Sequence, residues 1–198
     1  MATQNQIQPW KIGSNIHREA DFRGGPEGGA NGTNAWLEAA SQSWGIGDLL
    51  YLASGKLTLC GVNGSNQLNT AIAGQAKKPA AAVTDSDVHF SIIRGDDEFM
   101  MNVYHSTPAA AITARTQLGS VFAVIKIGGK WMVDIENAVE GSNNALGRVL
   151  VTDIPRRTSD GQTNTVGDIY GLVIAQFIPL SLSLTGTLAA QRTLQLDF

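Results

Sequence analysis

The chain has 198 residues, a net charge of −3, 43% hydrophobic residues and only 16% charged ones. It is long enough to bury roughly 70% of its unfolded surface, so a core without disulfides is within reach; its low charged share is expected of a surface that is polar but uncharged, or covered by neighbouring subunits. Lys77-Lys78 and Arg156-Arg157 are isolated cationic pairs, so the clustered cations that neutralise phosphates are missing and nucleic-acid binding is not expected.

Residues 1–44 are rich in Gln, Asn, Gly and Ala. The opening stretch lacks the charged head and apolar run of a secretory signal, and no apolar stretch in the chain reaches the ~20 residues of a membrane span. The expectation is a protein made and used inside a cell, or in a particle assembled there. Gly and Pro between Arg23 and Gly32 forbid a helix or a central strand. Yet Ile7, Trp10, Ile12, Ile16, Phe22, Trp36 and Trp44 punctuate the segment, where a disordered tail is poorer in aromatics. It reads as an arm that orders by docking, on its own body or on a neighbour, with one short helix over 34–43 capped by Asn34.

Strand grammar begins at Gly45. Leu49–Leu52 and Lys56–Cys60 flank a Ser54-Gly55 turn, 61–70 is a polar loop, and 71–76 is a short strand or turn. Val88, Phe90 and Ile92 alternate, as do Phe99, Met101 and Val103, and the two runs read as a hairpin. A connection over 105–120 carries a helical turn near Ala109–Thr113. Then comes the clearest element, a hairpin over Val121–Ile135. Val121, Ala123, Ile125 and Ile127 fall on one face, Gly128-Gly129 supplies the positive φ of a tight turn, and Trp131, Val133 and Ile135 continue the apolar face. Arg148–Ile154 and Ile169–Ile178 are strands, each stopped by a proline. Gly47-Asp48, Gly95-Asp96 and Gly167-Asp168 open strands, with Gly admitting the turn and Asp capping it. Leu180, Leu182 and Leu184 alternate with Ser and Thr, and Leu194, Leu196 and Phe198 form a last alternating run that must pair with a sheet. The fold expected is all-β, a small β-barrel or sandwich body over 45–184, between an N-terminal docking arm over 1–44 and a C-terminal β arm over 185–198.

Residues able to carry chemistry are few, and each has a structural explanation. His89 and His105 would face each other across the expected second hairpin, with Asp85 or Asp87 as a third ligand, but that spacing is not diagnostic of a metal. His17 has no obvious partner. Arg94-Gly95-Asp96 is accounted for as a turn. Asn31-Gly32-Thr33 and Asn63-Gly64-Ser65 match a glycosylation acceptor that needs a secretory route. The glycine-rich run 24–32 lacks the strand before it and the Gly-Lys-Ser/Thr after it that a phosphate cradle requires. Cys60, the single cysteine, excludes an internal disulfide and reads as buried filler. Asp96, Asp97 and Glu98 are expected in a solvated turn, since adjacent carboxylates cannot flank one glycosidic bond from two sides. Trp10, Trp36, Trp44 and Trp131 would serve a sugar-stacking platform, but read better as a core residue at 131 and docking anchors in the arm. No catalytic residue, cofactor site or metal site is assigned.

The order of the motifs resembles one family. Gly47 to Lys56, Gly95 to His105, Gly119 to Asp134 with its Gly-Gly-Lys-Trp turn, and Val149 to Ile154 through Gly167 to Gly171 and on to Pro179 together resemble a tailed-bacteriophage capsid cement, or head decoration, protein. The resemblance covers 45–184 and rests on the order of the motifs, not on any one of them. It implies a β-barrel-like structural protein, not an enzyme, that decorates the capsid exterior of the virion after assembly in the host cytoplasm. It also implies the major capsid protein as partner and a homotrimer as the working form, with no nucleic acid and no membrane involved.

Such a protein stabilises a shell by binding the assembled lattice and not the free subunit. Trimerisation raises the effective concentration of weak contacts, and extended apolar ends can add strands to a neighbour's sheet. The residues expected at subunit or capsid contacts are Trp10, Ile12, Phe22 and Trp36 in the first arm and Leu194, Leu196 and Phe198 in the second. The alternative expectation is a carbohydrate-binding module of a head fibre or tail. A hydrolase with two dispersed carboxylates is a third.

Overall fold

The computed structural model describes residues 8–11, 37–93, 97–138, 148–156 and 163–178. The described fold is all-β, as its alternating apolar pattern dictates. In chain order the strands are β1 (Gln8–Lys11), β2 (Leu37–Glu38), β3 (Leu49–Ala53), β4 (Lys56–Leu59), β5 (Gly74–Ala76), β6 (Phe90–Ile92), β7 (Glu98–Tyr104), β8 (Val121–Ile127), β9 (Lys130–Ala138), β10 (Arg148–Asp153) and β11 (Leu172–Phe177).

Five of these strands close a barrel. β7, β11, β10, β8 and β9 pair antiparallel in that order, and a short parallel pairing, Val103 with Val133 and Tyr104 with Asp134, joins β9 back to β7. Closure removes the sheet edges that would otherwise invite association. Two stretches of strand extend past their barrel neighbours and find other partners. β1 adds antiparallel to β7 at Glu98–Met100. The loop at 66–68 adds to β8, with the Leu68 N–H donating to the Val124 carbonyl and the Lys126 N–H donating to that of Asn66.

The barrel interior follows period two on every strand. Phe99, Met101 and Val103, Phe122 and Val124, Trp131 and Val133, Val149 and Val151, and Val173, Ala175 and Phe177 share one buried cluster. Phe99 and Phe177 meet edge to face at 5.5 Å. The second sheet runs β2-β4-β3-β5-β6. β3 alternates across it: Leu49 and Tyr51 join the barrel core, while Leu50 and Leu52 join a cluster on the opposite face with Trp44, Leu57, Val88 and Phe90. Leu68 and Ile72, from a loop whose composition is mostly polar, also anchor in the barrel core.

The hairpin over 121–135 forms with the two-residue turn its glycines predict, Ile127 opposite Lys130 and positive φ at both Gly128 and Gly129. Its facing differs from expectation. A two-residue loop sets Lys126 opposite Trp131 and Val124 opposite Val133, so the tryptophan shares the barrel interior with Phe122 and Val124, not with the odd positions of β8. Ala123 and Ile125 lie on the other face and are buried too; with both faces apolar, the pattern alone does not fix which points inward.

Three further expectations are corrected. Residues 37–38 are a strand parallel to β4, followed by a turn at 40–41, where a helix over 34–43 was expected; the part of that span before residue 37 lies outside the described residues. β6 and β7 do not form a hairpin: β6 pairs with β5 in the second sheet, and β7 belongs to the barrel. Asp97 is 1% exposed and not solvated, because it leads directly into β7 at the barrel wall, while Glu98 is half-buried in β7 and accepts from Gln176 Nε2 at 3.4 Å. Of the Gly-Asp pairs expected to open strands, two are described and both cap a turn; Gly47-Asp48 leads straight into β3, whereas β11 begins at Leu172 and not at Ile169, which forms an isolated bridge with Ile112. Asp48 Oδ2 accepts from the Gly45 N–H at 2.9 Å and Asp168 Oδ2 from the Thr165 N–H at 2.7 Å, with Gly47 and Gly167 at positive φ.

Candidate functional site

Among the described residues, three polar groupings bear on function. The first is inside. Asp48 at the head of β3 is 6% exposed. Besides capping its own turn, its Oδ1 accepts from Trp131 Nε1 at 3.0 Å and lies 2.6 Å from Lys126 Nζ. The Lys126 ammonium also stands 5.0 Å from the centre of the Trp131 ring. Every polar atom of the cluster has a partner, so it joins the second sheet to the barrel and presents no free group for catalysis. Cys60 lies nearby. Burial pushes its thiol up to about 12, opposed in smaller measure by the Thr70 hydroxyl and Lys126. Such a thiol is a poor nucleophile.

The second place is the exposed corner after β7. The Ser106 N–H and hydroxyl donate to Glu136 at 3.0 and 2.9 Å. The Ser106 hydroxyl, and then its N–H, hold the Glu136 carboxyl below its ordinary range. His105 Nδ1 accepts from the Thr107 N–H at 3.0 Å and lies 3.9 Å from Glu136 Oε2. With β6 and β7 in different sheets, His89 and His105 do not face each other across a hairpin. Among the described residues, no three His, Cys, Asp or Glu side chains are grouped to hold a metal ion.

The third place is a surface cleft of about 480 Å³ between the loop at 113–118, the end of β10 and the loop at 163–166. Its walls are stiff. Asn164 is buried and donates from Nδ2 to the Pro155 and Leu172 carbonyls at 2.6 and 2.9 Å, while its Oδ1 accepts from the Leu172 N–H at 2.7 Å. Thr113 ties the two loops, its hydroxyl donating to the Thr165 carbonyl and its own carbonyl accepting from the Gly167 N–H. Gln117 braces its own loop against the Ile112 carbonyl and the Ala114 N–H. Into this frame project Arg115 and Arg156, both exposed and both without an ion-pair partner among the described residues. Beside them stand Leu118 and Val166, 43% and 52% exposed.

Of the residues expected at partner contacts, Trp10 lies in β1, whose backbone pairs with β7. Its side chain lies outside the description, as do Ile12, Phe22, Trp36, Leu194, Leu196 and Phe198. Arg94–Asp96, His17, Asn31–Thr33 and the glycine-rich run 24–32 are likewise outside it. Trp44 and Trp131 are 3% and 0% exposed, so neither offers a face to a sugar. Sequence reasoning missed the cleft. Arg156 was visible only as half of an isolated basic pair, and Arg115 carried no signal at all. What unites them is the pairing of β10 with β11 and the bonds of Thr113 to Thr165 and Gly167, both of which are long-range. No family model, no curated protein and no solved structure matches the chain. Among the described residues, no helix is long and apolar enough to cross a membrane.

Proposed function

We propose that this chain is a structural virion protein, a cement protein that binds the outer surface of an assembled phage head and stabilises contacts between capsid subunits. The observation that carries the reading is the attachment of β1. A segment of the N-terminal arm adds a strand to an otherwise complete barrel through main-chain pairing at the β7 edge. The strand pairs within its own chain, and the same main-chain pairing is one that an extended segment can make on a neighbour's sheet, which is how an arm of this kind would act as a surface glue. The commitment of Asp48, Asn164 and Cys60 to structural roles, and of Glu38, whose carboxylate accepts from the Ala81 and Ala82 N–H groups at 2.8 Å, all of them buried, also favours a binding role over a catalytic one.

In this reading the partner is the major capsid protein, the working form is a trimer, and Trp10, Ile12, Phe22, Trp36, Leu194, Leu196 and Phe198 make the contacts. The test is co-sedimentation of the full chain with assembled heads of the cognate phage and, separately, with unassembled capsid subunits. Retention on heads alone is the expected result, weakened by Ile12→Asp, Phe22→Asp and Trp36→Asp combined. Equal retention on free subunits, or none on heads, overturns the reading.

A further inference from the structure

We propose that the cleft between Arg115 and Arg156 is a docking site for an acidic, apolar-containing peptide segment of a partner protein. The inference does not rest on the identity of that partner. Its chemistry follows from what the cleft offers. Two guanidinium groups without ion-pair partners among the described residues face one concavity, and a planar guanidinium is built to take a carboxylate through paired hydrogen bonds. The chain as a whole is acidic, at −3, whereas the described lining of the cleft sets two arginines against one carboxylate, that of Asp153, a local excess of positive charge that would steer an anionic partner.

The lining mixes apolar and polar side chains. Leu118 and Val166 are exposed and Ile154 is half-buried, and all three line the cleft together with the two arginines. A peptide with acidic and apolar side chains uses both kinds of surface. A free phosphate uses only the arginines, leaves the apolar wall wet, and is far smaller than a cleft of about 480 Å³. Nucleic acid would need many more cations than two. The Asp153 carboxylate also lines the cleft, with its Oδ1 accepting from the Ile154 N–H. It excludes a purely anionic occupant from that corner and favours a segment with neutral residues there. The hydrogen bonds of Asn164, Thr113 and Gln117 hold the frame in place before anything binds, which lowers the ordering cost of association.

The test uses the full chain, fluorescently labelled, on an array of eight-residue peptides. These carry Asp and Leu in all alternating orders, beside counterparts with every Asp replaced by Asn or by Lys. Binding confined to the Asp-Leu series, weakened at least about tenfold by R115E combined with R156E and weakened again by added salt, is expected. L118S should weaken it as well, and circular dichroism of each variant should match that of the parent. The proposal is overturned if the Asn series binds equally, if charge reversal has no effect, or if millimolar inorganic phosphate displaces the peptides and so marks a small-anion site. Concentration-dependent self-association abolished by the same charge reversal would also overturn it, by making the occupant a second copy of the chain.

Discussion

The Trp131 indole N–H donates to Asp48 Oδ1 at 3.0 Å, across 83 positions of sequence. The bond links the last turn-proximal residue of the barrel's best-defined hairpin to the first residue after the Gly47 turn of the second sheet. Lys126 completes the junction from the facing strand, 2.6 Å from the same oxygen. Removing the carboxylate strands a buried indole N–H and a mostly buried ammonium at once. Asp48→Ala should therefore cost on the order of 3 kcal/mol, a fall of about 6 to 12 °C in melting temperature for a chain of this size. Asp48→Asn, which keeps an acceptor for the indole, should lie between. A double-mutant cycle with Lys126→Met should show non-additivity, and strict additivity of the two losses would mean the groups do not act together.

Cys60 gives a pH signature. Its thiol rises from an ordinary 9.0 to about 12 because the folded protein buries it. Above pH 9 the unfolded chain releases this proton while the folded chain keeps it, so the folded state binds more protons and stability falls as pH rises. The slope should reach about 1.4 kcal/mol per pH unit between 9 and 12. Urea melts across that range should show the slope in the parent and lose this component in Cys60→Ala. Below pH 9 the native thiol should resist alkylation and react only on unfolding.

At the exposed corner, Glu136 should titrate below the ordinary glutamate range, chiefly through the Ser106 hydroxyl and then the Ser106 N–H. A lowered folded-state value means that the interaction is present above the unfolded value and fades as pH falls through the folded one. Carboxyl carbon shifts followed by NMR should place the Glu136 midpoint low in the parent. Ser106→Ala should move it back up, and an unmoved midpoint would assign the shift elsewhere.

Gly74 sits where β5 approaches β6. A Cβ there would run into the Ser91 carbonyl and stand 2.5 Å from Phe90 Cδ2. Because one obstacle is backbone, the strands must separate to admit even a methyl group. Gly74→Ala should cost about 2 to 3 kcal/mol, and amide exchange should quicken across Phe90–Ile92 before it does in β10 or β11. Gly128→Ala meets no such obstacle, since nothing stands within 4 Å of its Cβ position. Its cost should reflect only the positive φ, about 1 kcal/mol.

Much of the architecture was legible in the residues themselves. Alternation marked the strands, Gly128-Gly129 marked the tight turn, Gly47-Asp48 marked a capped strand start and Gly167-Asp168 a capped turn. These signals are local: period-two alternation and positive-φ turns are set by neighbours within a few positions. Long-range choices were not legible. Phe90 and Phe99 sit in adjacent apolar runs that read as a hairpin, yet they belong to different sheets. β7 is apolar on both faces, with Phe99, Met100 and Met101 all buried, so its pattern names no partner and no inner side. Nothing in the local pattern marks Lys126 for an inward role, and only the distant Asp48 accounts for it. Arg115 and Arg156 share a cleft because Asn164 pins the loop between β10 and β11 to Pro155 and Leu172, and Thr113 ties the Arg115 loop to Thr165 and Gly167. Sequence alone determined where the chain extends and where it turns, because those are energies of adjacent residues. Which strands meet, which faces turn inward and which charges share a surface were decided by the tertiary structure, where burial is optimised over the whole chain at once.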